Sequence, residues 1–274
     1  MTMIMSTIFN PLCSTEVTCS AVAHSIARTY RIGGWEAYEA HADIDLLPFW
    51  IARYPTTMAQ YQAFMAAGGY DEQDWWMPLG WQWRQENQRT KPFNWDNQTT
   101  QESVNQPVYG VTWYEARAFC GWLDRLLAAE GYAVRLPTYA EWEAVAAYAA
   151  TGERFTYPWG MEELTPERAI YDEHALNDHP ASVGTCPAGA AASSALDMAG
   201  NVREWTQSYW WDYPNESGII VTDTHVGGSV TNLSLRGGSY ENGSTDVRCA
   251  ARSRNHPGYG FIRGFRCGVA PRSP

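Results

Sequence analysis

The chain has 274 residues, 45% of them hydrophobic and 18% charged, with a formal net charge of −11. That composition is globular and long enough to bury a sizeable core, and it shows no basic run of the kind phosphate-backbone binding needs, so no nucleic-acid partner is expected. No apolar stretch approaches the roughly 20 residues of a membrane span, and Met1–Met5 lacks the Lys or Arg of a signal peptide, which makes a cytoplasmic protein the default expectation.

In chain order, residues 1–45 read as an N-terminal extension packed on a domain over 46–274. "PFWIARYP" (48–55) reads as a short strand. A helix follows over 57–67, with Met58, Tyr61 and Met65 on one side and Gly68-Gly69 after it. A polar, tryptophan-rich stretch then runs to Val108. The chain has 14 tryptophans in all, and Trp75, Trp76, Trp81, Trp83 and Trp95 crowd this part. Trp joins a large apolar body to one polar handle, so the group suits either a core or a binding cleft. Thr112 with Glu115 three residues on is a capping box, and Ala116, Phe119, Cys120, Leu123, Leu126 and Leu127 form an apolar stripe at helical spacing until Gly131. Thr138 and Glu141 repeat the device, with Trp142, Val145 and Ala149 on one face and Gly152 as the stop. Loop dominates from Gly152 to Ala195. Short strands fit 233–238, 246–253 and 264–270.

Six cysteines, Cys13, Cys19, Cys120, Cys186, Cys249 and Cys267, include no CxxC pair. His174 and His179 lie five apart, which is not the spacing of a helical zinc pair. Phosphate-loop, GxGxxG and GxSxG patterns are absent.

Seven segments taken together carry a resemblance: "IARYPTTMAQYQAFMAAGGY", "QPVYGVTWYEARAFCGWL", "RLPTYAEWEAVA", "YPWG", "ALDMAGNVREW", "LRGGSY" and "RCAARSRNHPGYGFIRGFRC". In this order they resemble the formylglycine-generating enzyme (sulfatase-modifying factor) family from about Phe49 to Ala270. The resemblance implies an α+β, loop-rich fold of the C-type-lectin-like kind, with short antiparallel strands and two to three helices. Family enzymes oxidise a substrate cysteine with copper held by a cysteine pair between GGSY and RCAARS. Here that interval, Glu241 to Val247, holds only hard oxygen donors, which cannot replace thiolates on Cu(I), so no copper is expected. "DMAGNVRE" resembles a family calcium loop, implying a structural Ca2+ held by Asp197, Gly200, Val202 and Glu204; hard oxygens around a tight turn are what calcium takes. A second family calcium site is not expected, because Ile170 stands where it needs an Asn. Cys120 and Cys267 match a structural disulfide of the family, a bridge that a reducing cytosol would oppose. Cys249 reads as a free, buried thiol.

Family members without the cysteine pair include the variable proteins of diversity-generating retroelements, which display diversified residues on C-terminal strands and loops. The resemblance places such a region at about 236–267. Tyr240, Glu241, Asn242, Ser244, Thr245, Asp246, Ser253, Asn255, His256, Tyr259, Phe261 and Arg263 are then the ligand-binding residues. Aromatic anchors among adaptable polar groups on a fixed scaffold suit recognition of a protein or other macromolecular ligand. The expectation is a non-catalytic binding protein. Two alternatives remain: a family-like oxidoreductase with altered chemistry, and a calcium-dependent lectin. Ergothioneine sulfoxide synthases use a related domain together with an iron-binding helical domain, for which residues 1–45, with His24 and His41, are too short.

Overall fold

Thr57, Thr112 and Thr138 each stand one residue before a helix and do there what a capping box requires. Thr138 Oγ1 accepts from Glu141 N at 3.1 Å while Glu141 Oε2 accepts from Thr138 N at 2.8 Å. Thr112 and Glu115 repeat the exchange at 3.3 and 2.8 Å, and Thr57 and Gln60 at 3.3 and 2.9 Å. These contacts belong to a computed structural model that describes residues 22–25, 27–34, 40–98, 103–127, 131–174, 179–210 and 232–272. The helices they start are α1 (Met58–Ala66), α4 (Trp113–Leu127) and α5 (Tyr139–Ala147). α5 is buried throughout. Along α4, Ala116, Phe119, Cys120 and Leu123 are buried as the stripe implies, but Leu126 is 62% exposed.

Two more helices, α2 (Pro78–Glu86) and α3 (Trp95–Gln98), occupy the stretch read as polar connection. α2 starts at Met77 with no side-chain cap and Pro78 in its first turn, so the usual Ser/Thr/Asp/Asn signal is missing while proline's fixed φ does the work.

The ten described strands are β1 (Val22–Ser25), β2 (Arg28–Gly33), β3 (His41–Leu46), β4 (Phe49–Ala52), β5 (Tyr132–Arg135), β6 (Arg203–Tyr209), β7 (Leu233–Arg236), β8 (Arg252–Asn255), β9 (Arg263–Gly264) and β10 (Gly268–Pro271). They form a sheet in the order β1-β4-β10-β5, the hairpin β2-β3, and a second sheet in the order β8-β7-β6-β9. All pairings are antiparallel except β6 with β9. The expected strand over 246–253 is mostly turn. Asp246 N donates to Gly243 O and Ala251 N to Arg248 O, and the buried Arg236 guanidinium takes the carbonyls of Ala250 and Ala251 at 3.1 and 3.2 Å, removing acceptors a ladder would use. Likewise the expected strand over 264–270 is interrupted: Gly264 pairs with β6, and residues 268–270 continue into β10 beside β4 and β5.

An aromatic core lies between α1, α4 and the second sheet, built on Tyr61, Phe64, Trp113, Phe119, Trp205 and Phe265. Another lies around α5, with Trp142, Ile32, Ile51 and Cys249. Buried ion pairs tie the layers. Glu143 Oε1 accepts from Gly33 N and Arg154 Nη2, and its Oε2 from Arg236 Nη2 at 2.7 Å. No described helix is long and apolar enough to cross a membrane.

Candidate functional site

The turn ahead of β6 is tight. Gly200 has φ +78°, and a Cβ there would lie 2.0 Å from Ile170 O, so only glycine fits. Asp197 and Asn201 also take positive φ, 55° and 60°. Asp197 Oδ2 accepts from Gly184 N at 2.8 Å. Burial pushes the Asp197 carboxyl up to about 6, against the opposing pull of that hydrogen bond and of Arg266. Glu204 is fully buried, and Arg266 grips both of its oxygens, Nε to Oε2 and Nη2 to Oε1, each at 2.7 Å. Trp142 Nε1 adds a third donor to Oε2 at 2.9 Å. The same guanidinium takes the carbonyls of Leu196 and Asp197. Of the residues expected to hold calcium, Asp197, Gly200 and Val202 sit on this turn and Glu204 at the start of β6, but Glu204 is spent on Arg266, and as arranged the set does not fit a cation.

From β7 the chain passes through Gly237-Gly238 into the Ser239–Val247 turn, whose hub is Asn242. Its Oδ1 accepts from Ser239 N (2.9 Å), Ser239 Oγ (2.8 Å) and Arg203 Nη2 (2.7 Å). Its carbonyl accepts from Asp172 N. Tyr240 is buried beside Ile170, Cys186 and Ile262, away from the surface role expected of it. Glu241, Ser244, Thr245 and Asp246 are exposed. A shallow surface depression lies beside the turn, bordered by Arg203, Gly237, Gly238, Asp246, Arg252 and Ser253.

The remaining predicted residues come from β8 to β9. Ser253 and Asn255 lie across from Leu235 and Leu233 on β7. His256 is exposed and its Nδ1 accepts from Gly258 N at 3.2 Å. Tyr259 and Phe261 are 47% and 52% exposed, and the Arg263 guanidinium lies 4.8 Å from the Tyr259 ring centre. The tryptophan-rich stretch does border this loop: Trp83 packs on Gly258 and Phe93 on Gly260. Thus Asp246 and Ser253 border the depression together with Arg203; Glu241 and Asn242 belong to the same turn; and His256, Tyr259 and Phe261 lie on the loop that leads to Arg263. Trp83 belongs to the tryptophan group that the sequence offers for a core or a binding cleft, whereas nothing in the sequence marks Arg203 or Phe93. Arg203 lies inside the quoted "DMAGNVREW" segment, and its nearness to Arg263 is set by strand pairing rather than by local pattern.

Burial lowers the guanidinium pKa of Arg203, with Asp246 opposing, and lowers that of Arg263, where Arg203 adds to the drop and Tyr259 and Glu241 oppose. Cys120 Sγ and Cys267 Sγ are free thiols 3.6 Å apart in the core. Cys249 is a buried free thiol. Cys13 and Cys19 fall outside the described residues. Among the described residues no group of three or more His, Cys, Asp or Glu could hold a metal ion.

Comparison with known proteins gives this geometry a context. The family described as "Sulfatase-modifying factor enzyme 1-like domain" matches residues 19–270. A hercynine oxygenase of Mycolicibacterium thermoresistibile is 36% identical over 228 residues, 78% of this chain and 49% of its own length. The chain thus spans about half the length of that relative. A formylglycine-generating enzyme of Thermomonospora curvata is 28% identical, covering 89% of this chain and 91% of its own. Among solved structures, Treponema denticola variable protein 1 has a similar fold, with a TM-score of 0.63 at 20% identity, covering 91% of this chain and 95% of its own.

One expectation is corrected by these matches. The missing cysteine pair pointed to a protein that is not an enzyme, yet the relatives at 34–36% identity are hercynine oxygenases, which are enzymes. A thiol-free 241–247 turn removes one chemistry, copper–thiolate oxidation, and leaves others open to the same scaffold.

Proposed function

The chain belongs to the sulfatase-modifying factor enzyme 1-like family, and on that premise we propose that it works in an oxidoreductase of altered chemistry, of the oxygenase kind. The surface made by residues 240–263 and Arg203 binds and orients the substrate. Trp83, His256, Tyr259 and Phe261 supply contact area, and the Ser239–Val247 turn with Arg203 and Arg263 supplies polar contacts. The observation that carries this reading is the match to hercynine oxygenases over 78% of the chain, taken with a site turn that holds no thiol between Glu241 and Val247. The described residues hold and align the substrate.

The test is oxygen uptake by the whole protein with hercynine as the candidate substrate, supplied in turn with ferrous and cupric ions. The expected result, with ascorbate added as the two-electron reductant, is substrate-dependent uptake with one of the two metals and a product heavier by one oxygen atom, the other leaving as water. Absence of uptake with both metals would overturn the oxygenase reading.

A further inference from the structure

Two arginines face one another at the root of the candidate site. Arg203 opens β6, Arg263 opens β9, and the two are register partners in the parallel pair. Paired residues on neighbouring strands send their side chains to the same face, so two like charges are set side by side. Both are half-buried. Neither forms an ion pair with a carboxylate among the described residues, although Asp246 and Glu241 are near enough for Arg203 and Arg263 respectively to feel their charge. Arg203 spends one nitrogen on the neutral amide oxygen of Asn242. Arg263 gives Nη1 to the carbonyl of Phe261, and its Nε is buried with no acceptor at all.

The backbone is also held out of its ordinary range here. Ile262, immediately before Arg263, has φ +47°, a left-handed conformation that a β-branched side chain resists. It is fixed there by burial among Ile170, Cys186 and Tyr240. Strain that persists only because the surroundings enforce it clusters at functional sites. In this case it sets the direction of the arginine that follows.

We propose that Arg203 and Arg263 form the anchor for a carboxylate group on a small substrate, and so determine specificity at the site proposed above, on which this inference rests. Two planar guanidinium forks match the two oxygens of a carboxylate. An anion between them would relieve their mutual repulsion and give the Arg263 Nε–H its missing acceptor. The exposed carboxylates of Glu241 and Asp246 flank the pair, so a dianion such as phosphate is repelled more strongly than a monoanion. The same two acids would face a cationic or donor group elsewhere on the same ligand.

The experiment is NMR titration of the arginine Nε–H signals of the whole protein with N-acetylglycine, with N-acetylglycinamide as its uncharged match and inorganic phosphate as the competing anion. N-acetylglycine is expected to shift the Arg263 and Arg203 signals saturably, with the amide and phosphate at least tenfold weaker and added salt reducing the affinity. Arg263→Gln is expected to weaken binding about tenfold or more. It leaves the Arg203–Asn242 contact intact, so it separates binding from the integrity of the turn; Arg203→Lys keeps a charge without the fork and should fall in between. Arg125→Gln, far off on α4, should bind as the parent does. Equal shifts with acid and amide, tighter binding of phosphate, or unchanged binding by Arg263→Gln would each overturn the assignment. The titration requires no turnover. Carboxylate binding without oxygen uptake sinks only the oxygenase reading, and uptake without carboxylate binding sinks only the anchor.

Discussion

Arg266 and Glu204 meet in a fully buried, two-point ion pair, with Nε–Oε2 and Nη2–Oε1 both at 2.7 Å. Four backbone carbonyls, from Ala52, Arg53, Leu196 and Asp197, take the rest of the guanidinium. The pair therefore links the last strands of the chain to the turn before β6. Removing one partner leaves a buried charge with no counterpart, which costs about 3–5 kcal/mol. Glu204→Gln should unfold at markedly lower denaturant concentration than the parent, with an unchanged slope.

The same pair bears on calcium. A structural ion present at a hundred times its Kd adds about 2.7 kcal/mol, roughly 5–10 °C for a chain of this size. With Glu204 already held by Arg266, calcium and chelator are expected to leave the melting temperature where it is. A rise of several degrees on adding calcium would restore Asp197, Gly200, Val202 and Glu204 as its ligands.

Asn242 accepts three hydrogen bonds at one oxygen. Asn242→Ala strands Ser239 N and Arg203 together, a loss of about 1–3 kcal/mol. The damage should be local: amide exchange speeds up over 239–247 while the cores around Trp142 and Phe119 keep their protection.

Arg135 and Glu141 predict the acid limb of stability. Burial alone would raise the Glu141 carboxyl, but the bidentate Arg135 contacts at 2.7 and 2.6 Å and the Thr138 donors outweigh it and hold the pKa below the ordinary value. A carboxylate depressed on folding stabilises the fold above its unfolded pKa, about 4.3. That contribution is lost as pH falls through the lower, folded value. The parent should therefore lose stability steeply below about pH 4. Glu141→Gln should be less stable by about 3 kcal/mol at neutral pH and lose less on acidification.

The thiols give a chemical check on packing. Burial pushes Cys186 up to about 11 and raises Cys249 and Cys267 further, the last also through its contact with Cys120. Because the thiolate is the reactive form, peptide-resolved alkylation at pH 8 should leave Cys186, Cys249 and Cys267 unmodified until the protein is unfolded, and Cys120, which is buried, should be shielded from the reagent as well. Rapid native labelling of Cys249 would contradict the core described around α5.

What could be read ahead of the structure was local or motif-borne. Thr138 and Glu141 are three residues apart, and the chemistry of a cap needs nothing more distant. The seven ordered segments disclosed the fold because each is a short constrained piece. Arg203 and Arg263 are brought together by strand pairing, and Glu204 and Arg266 by a side-chain ion pair between residues 62 apart in the chain, neither of which any periodicity encodes. α2 went unseen because Met77 gives no capping signal. Catalysis was misjudged for a different reason: the lack of cysteine in one turn was extended to the function of the whole scaffold.

The loop from His256 to Phe261 has one more property. A Cβ on Gly258 would come within 2.8 Å of Trp83 Nε1, and one on Gly260 within 2.6 Å of Gly110 O. Those two positions are pinned against the body of the protein, while the side chains between and beside them, at 256, 259 and 261, point out where almost any residue fits. Substitution is thereby sorted by geometry: 258 and 260 are fixed by their close approaches, while the exposed positions 256, 259 and 261 can change at little cost to the fold that carries them.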